Sequence, residues 1–346
     1  MDVKTKILIL GPSWVGDMVM SQSLYRLLKN NAPDVTIDVL APLWCLDLVK
    51  RMPEVRKGIA LPILHGTWDF KTRYRLAKTL RQEQYDQAIV LPNSWKSALI
   101  PWLARIPLRT GWRGEFRYGL LNDIRILDKA AYPLMVQRFM ALGLHPKQEL
   151  PTPCNPSLLT NPTSVQASLT QCALSAPTQP ILALAPGAAF GDAKRWPADS
   201  FAEVARTLQD QGWQVWIFGS RDDEPILQQI HRMTGSQALC FGQTIALDTK
   251  IDLLSLATVI VSNDSGLLHI GAALNVPTLG IYGSTTPHFT PPLGDHTGVL
   301  EVSSLACRPC FQRNCPLKGD DHLACLKLIS PQQVLTWINT HAHLNH

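Results

Sequence analysis

The chain has 346 residues, 46% apolar and 17% charged, with a formal net charge of +5. That is the composition of a globular protein with material for two cores, and it excludes a disordered chain. No apolar run approaches the roughly 18 residues of a spanning helix, and the start leads straight into Ile7-Leu-Ile-Leu10 without a leader pattern, so we expect a soluble, cytoplasmic protein.

The charge is unevenly spread. Residues 1–150 hold 22 Lys+Arg against 13 Asp+Glu, a balance of +9, whereas residues 151–346 hold 10 against 14, a balance of −4. A basic first half beside a mildly acidic second half points to an anionic partner for the first half: nucleic acid, a phosphorylated lipid or an acidic membrane surface.

In chain order, the pattern predicts strands over 6–10, 35–41 and 87–91 and helices over 17–30, 42–52 and 71–84. Met20, Leu24, Leu27 and Leu28 line one face of the first helix. Residues 145–180 then turn rich in Pro, Ser and Thr, and we read 151–178 as the linker between a domain of residues 1–150 and a second of residues 179–330. The second half restarts the rhythm, with strands over 181–185, 213–218, 259–262 and 278–282 and helices over 198–211, 224–233 and 266–274. A last helix and a frayed tail fill 331–346. Strand–helix alternation of this kind predicts an α/β fold of two Rossmann-like, doubly wound parallel-sheet domains facing each other across a cleft at their strand C-termini.

Four strand-end loops could carry chemistry. Asn263-Asp-Ser-Gly-Leu-Leu-His269 follows a strand and opens a helix, a place where unpaired N–H groups and the helix dipole attract phosphate; simple capping by Asp264 or Ser265 is the alternative. Ala185-Pro-Gly-Ala-Ala-Phe-Gly-Asp-Ala-Lys194 has small residues that let a ligand approach the backbone, and Lys194 can place a charge on a phosphate. It matches neither the P-loop nor the dinucleotide fingerprint, which disfavours a dehydrogenase. In Gly219-Ser-Arg-Asp-Asp-Glu224, Asp223, with Glu224 as the alternative, is a candidate ribose ligand; both also fit as helix-start carboxylates. Asp17, after Gly11-Pro-Ser-Trp-Val-Gly16, falls at a helix start, where the dipole favours the charged form of a group that could act as a general base or merely as a cap.

Taken together with Pro92-Asn-Ser-Trp-Lys-Ser97, Arg109-Thr-Gly-Trp-Arg-Gly114, Arg117-Tyr-Gly-Leu-Leu-Asn-Asp123 and Lys194-Arg-Trp-Pro197, these motifs resemble, in matching order over nearly the whole chain, the ADP-heptose:lipopolysaccharide heptosyltransferases of glycosyltransferase family 9. The resemblance implies a GT-B enzyme with the donor, ADP-heptose, in the second domain and the acceptor, heptosyl-Kdo2-lipid A, in the first. It implies an inverting transfer of L-glycero-D-manno-heptose to the first heptose of the Kdo-lipid A core, the family's type II activity. A type I or III heptosyltransferase and a nucleotide-sugar epimerase are the alternatives. Asp17 falls at the family's catalytic-base position and Lys194 at its phosphate lysine. Asp264, Ser265, Gly266 and His269 fall on its second phosphate motif, and Asp223 on its acidic ribose ligand. Where the type I enzyme carries two threonines, this chain reads Ala188-Ala189 after Gly187, so backbone N–H groups are expected to replace the hydroxyls. The acceptor's phosphates and carboxylates account for the basic half, with Lys96, Arg109, Arg113 and Arg117 as the candidate contacts, interleaved with aromatic rings. No metal is expected, because Lys194 and the helix start can neutralise the diphosphate. The expected setting is a monomer at the inner face of the bacterial inner membrane, with no nucleic-acid partner and with its terminal helix packed back on the first domain.

Eight cysteines divide into four scattered ones and the set Cys307, Cys310, Cys315 and Cys325. In a reducing compartment that spacing fits a metal or labile thiols better than disulfides, yet it has one Cys-x2-Cys pair where a zinc ribbon has two.

Overall fold

Strand β1 (Lys6–Leu10) is the centre of the first sheet in the computed structural model, which describes residues 5–63 and 67–342. Leu8 and Ile9 are fully buried, because covered parallel strands bury both faces; each such side chain contributes about 2 kcal/mol. The other strands of this sheet are β2 (Thr36–Pro42), β3 (Val55–Leu61), β4 (Gln87–Val90), β5 (Leu108–Trp112) and β6 (Asp123–Arg125). All pair in parallel in the order β3-β2-β1-β4-β5-β6. Winding reverses between β1 and β4, and in such sheets ligands bind beyond the strand C-termini at that reversal. Asp38 on β2 is a buried charge in this sheet. Arg56 Nε and the Tyr85 hydroxyl donate to it at 2.9 and 2.6 Å, compensating its desolvation.

The second unit repeats the order. Its strands are β7 (Ile181–Ala185), β8 (Gln214–Phe218), β9 (Leu239–Phe241), β10 (Val259–Asn263), β11 (Thr278–Tyr282) and β12 (Thr297–Glu301). They are arranged β12-β11-β10-β7-β8-β9, again parallel, with the reversal between β7 and β10. The expected pair of doubly wound sheets is therefore present.

The chain divides at Leu158/Leu159. Residues 154–157 are tied to the helix Val15–Asn31: Ser23 Oγ donates to the Cys154 carbonyl at 2.6 Å, and the Gln22 amide both donates to and accepts from Ser157. Further on, the expected linker contains a helix, Pro162–Gln171, capped by Asn161 and joined to Asp252 through Ser164 and Ser168. The last helix, Pro331–His341, buries Val334, Leu335 and Ile338 in the second unit's own core beside the helix Ala198–Gln209. Residues 343–346 of the expected tail lie outside the described residues.

One predicted element differs in kind. Residues 42–52 form the end of β2, a 3-10 turn at Leu43–Cys45 and a single helical turn at Leu46–Val49, because Pro42 is accommodated as the last strand residue and not inside a helix.

Candidate active site

The loops after β7 and β10, on either side of the second unit's winding reversal, are joined by Asn263. Its side-chain amide donates to the Pro186 carbonyl at 2.7 Å, and its carbonyl accepts from the Trp196 N–H at 3.0 Å. With the loops fixed, Lys194 Nζ reaches Asp264 Oδ2 at 2.6 Å, and the Thr285 hydroxyl donates to the same oxygen at 2.7 Å. The lysine lies 5.2 Å from the centre of the Phe190 ring. Asp264 is buried and Lys194 half-buried, so this is a desolvated pair whose geometry aims the ammonium group.

Neither capping alternative is what the structure contains. Ser265 is the N-cap of the helix Gly266–Ala273, yet no side chain caps that helix start, and the Asp264 carboxylate is engaged by Lys194 and Thr285 instead. The partly exposed helix start at Ser265 and Gly266 thus sits beside a lysine held by a carboxylate, an arrangement that suits a diphosphate.

His269 lies on the buried side of this helix. Burial pushes its imidazole from 6.5 down to about 4, with Lys194 acting in the same direction and Asp264 against it. The folded protein therefore binds fewer protons than the unfolded chain between those values. His269's contribution is complete above pH 6.5 and drains away as the pH falls towards 4. The loss is about 3 kcal/mol. Replacing His269 with Gln should flatten the decline of unfolding free energy across this window in denaturant titrations; curves for the two proteins that run parallel would count against a buried neutral histidine.

Asp223 and Gly187 are in contact. A Cβ at Gly187 would collide with the Asp223 carboxylate, so only glycine lets the two loops close here. The carboxylate accepts from the Ser220 N–H at 2.9 Å and hydroxyl at 2.6 Å, and Arg195 lies 3.4 Å away. Asp223 is buried and occupied as a cap, whereas Glu224, half-buried at the start of the helix Glu224–Met233, is the more open of the two carboxylates. Ala188 is buried, and its carbonyl accepts from Arg195 at 3.5 Å.

Several residues of this cluster were not singled out by sequence. Arg308 binds the Gly283 and Thr285 carbonyls at 2.6 and 2.8 Å and Glu301 at 2.9 Å, and so fixes the loop that presents Thr285. The buried Lys250 donates to the Gly219 carbonyl at 2.7 Å and braces the end of β8. Among the described residues, Arg195 Nε and Ser284 Oγ are buried without a hydrogen-bond partner in these same loops. A basic residue far away in sequence gives no signal of such closeness.

The cysteine-bearing segment touches this cluster. The Arg313 carbonyl accepts from the Ala193 N–H at 3.0 Å, next to Lys194. All four cysteines are free thiols, and the buried Cys325 is raised chiefly by desolvation, with the charges of the other three adding to it. Among the described residues no group of three His, Cys, Asp or Glu side chains is placed to hold a metal ion.

In the first unit, Asp17 is the acidic residue in the first turn of the helix Val15–Asn31, which follows β1. Lys96 lies in the first turn of the helix Trp95–Leu103, which follows β4. Both therefore stand beyond the strands that flank the reversal, where a ligand is expected. Arg113 is exposed just after β5. An open groove of ≈ 560 Å³ is lined by Trp95, Glu115, Phe116 and Leu120.

The other two candidate acceptor contacts are turned towards the protein's own carbonyls. Arg117 is 1% exposed and donates to the Pro92 carbonyl at 2.6 Å, to the Asn93 side chain at 3.3 Å and to the Trp112 carbonyl. Arg109 donates to the Leu120 and Ile106 carbonyls at 2.7 and 2.6 Å. A guanidinium spent on backbone carbonyls is a strut for the β4 and β5 loops, and Arg117 has no surface left for a ligand.

Three comparisons bear on these observations. Residues 73–320 match the model of the glycosyltransferase family 9 (heptosyltransferase) domain. The chain is 46% identical over 307 residues to lipopolysaccharide heptosyltransferase 2 of Escherichia coli K12, covering 86% of this chain and 88% of that protein. It is 47% identical over 308 residues to lipooligosaccharide heptosyltransferase 2 of Haemophilus influenzae, with the same coverage. The solved structure of E. coli ADP-heptose LPS heptosyltransferase II superposes with a TM-score of 0.85 at 42% identity, covering 98% of both chains. A glycosyltransferase family 9 structure from Veillonella parvula, at 18% identity and a TM-score of 0.84, shares the fold. The chain belongs to glycosyltransferase family 9, the heptosyltransferases.

Proposed function

We propose that the protein transfers L-glycero-D-manno-heptose from ADP-heptose, with inversion, to the first heptose of the Kdo-lipid A inner core. The observation that carries this reading is the Lys194–Asp264–Thr285 cluster beside the helix start at Ser265 and Gly266. In the reaction the acceptor hydroxyl oxygen bonds to the anomeric carbon, the bond from that carbon to the β-phosphate oxygen breaks, and ADP departs with the electron pair. Asp17 accepts the hydroxyl proton. Lys194 and the helix start stabilise the charge gathering on the leaving phosphate, so the scheme calls on no metal.

Asp264 is assigned to orienting Lys194, since a carboxylate does not itself bind phosphate. Backbone N–H groups at Gly187, Ala188 and Gly266 complete the phosphate cradle. Glu224 replaces Asp223 as the ribose ligand, because Asp223 is buried in its cap. Lys96 and Arg113 hold the acceptor's anionic groups, while Arg109 and Arg117 shape the loops around them. The enzyme is taken to work as a monomer at the inner face of the inner membrane.

The test is ADP release from ADP-heptose with heptosyl-Kdo2-lipid A as acceptor, followed by NMR assignment of the new linkage. Release with that acceptor, none with Kdo2-lipid A, and an inverted anomeric centre are the expected results. Retention, or equal turnover of both acceptors, overturns the assignment.

A further inference from the structure

The helix Phe70–Gln82 has two unlike faces. Arg73, Ala77 and Leu80, at helical spacing, are buried. Outward stand Phe70 and Tyr74, 46% and 53% exposed, interleaved with the exposed Lys71, Arg75 and Lys78. The helix carries Lys71, Arg73, Arg75, Lys78 and Arg81 and no acidic residue. Trp68, just before it, is 45% exposed.

These rings form a continuous series. Trp95 and Trp68 lie 4.7 Å apart between ring centres, Trp68 and Phe70 6.2 Å, and Phe70 and Tyr74 6.3 Å. The series is held from within. Arg73 donates to the Trp68, Thr67 and Lys96 carbonyls at 3.0, 3.4 and 3.1 Å, which fixes the helix start against the following helix. Nearby acids are already engaged: Asp69 caps the helix through the Thr72 N–H, and Glu115 accepts from the Trp95 N–H. Among the described residues no helix is long and apolar enough to cross a membrane.

Exposed aromatic rings beside basic side chains, on a face without acids, match the chemistry of a lipid–water interface. Rings favour the headgroup level, and Lys and Arg are drawn to anionic headgroups. We infer that this helix face, with Trp68, docks the first unit onto an anionic phospholipid bilayer. The inference deepens the proposed membrane setting, and its test reads binding to vesicles and not turnover, so it stands or falls apart from the transfer reaction. Since Trp95 joins the ring series to Lys96, the docked surface runs directly into the proposed acceptor contacts.

The test is co-sedimentation of the full chain with vesicles of phosphatidylethanolamine and phosphatidylglycerol, compared with vesicles of phosphatidylcholine alone. Binding to the anionic vesicles that weakens with added salt is expected. Each basic residue near such a surface contributes about fivefold, so the double variant Lys71→Glu/Lys78→Glu should bind at least about twentyfold more weakly. Phe70→Ser/Tyr74→Ser should weaken binding separately, without loss of salt sensitivity. All four residues are exposed, and unchanged melting curves verify that the variants fold. Absence of wild-type binding, undiminished binding by both variants, or binding only when the glycolipid acceptor is added to the vesicles would each overturn the inference.

Discussion

Replacing Lys194 with Ala should lower kcat by about 10² to 10³, the cost of removing one preorganised donor from a developing anion, or roughly 3–4 kcal/mol of transition-state stabilisation. The effect is large because the ammonium is already aimed by Asp264 and Thr285, and the cluster's other lysine, Lys250, is spent on the Gly219 carbonyl. The donor KM should also rise, since part of the attraction to the diphosphate exists before the bond breaks. Asp264→Asn keeps the shape and the Thr285 contact but releases the lysine, and a smaller loss of about tenfold is expected. Steady-state kinetics with varied ADP-heptose separates the two. A Lys194 variant with normal kcat would remove the leaving-group role, and an Asp264 variant as damaged as the lysine variant would show that the carboxylate does more than orient.

Asp17→Asn is expected to cost 10² to 10⁴ in kcat with little change in donor KM, because general-base assistance is felt in the transition state alone. The wild-type rate is expected to fall at low pH as the base is protonated, and the variant should lose that acidic limb. Retention of that limb in the variant would assign it to another group.

The strand-end logic was open to reading because parallel sheets write it plainly. Ile7 to Leu10, Ile181 to Ala185 and Val259 to Val261 are unbroken apolar runs that stop at Gly, Pro or Ser, and the candidate ligand loops follow at once. Edge and short strands were not legible. Val55–Leu61 contains Arg56, Lys57 and Gly58, Thr297–Glu301 has Gly298 at its second position, and Leu239–Phe241 is three residues long. The Arg109-Thr-Gly-Trp112 motif hid a strand because its arginine drew attention to a ligand.

The site divided in the same way. Position along the chain put Lys194 and Asp264 each at a candidate phosphate loop, but their mutual pairing joins residues 70 apart in sequence and follows only from the fold. Arg109 and Arg117 show the converse. A basic residue beside an aromatic one looks alike whether it faces solvent or is folded in against carbonyls, and burial decides which. Thr285, Arg195 and Arg308 carry no motif of their own, so nothing short of the second sheet's loop geometry identifies them.

Titration calorimetry of ADP into the wild type, Asp17→Asn and Lys194→Ala most directly tests the division of labour between the two units. Asp17→Asn should bind ADP as the wild type does, and Lys194→Ala should bind it at least tenfold more weakly. Equal weakening in both variants, or full affinity in Lys194→Ala, would contradict a diphosphate held by the second unit and a base supplied by the first.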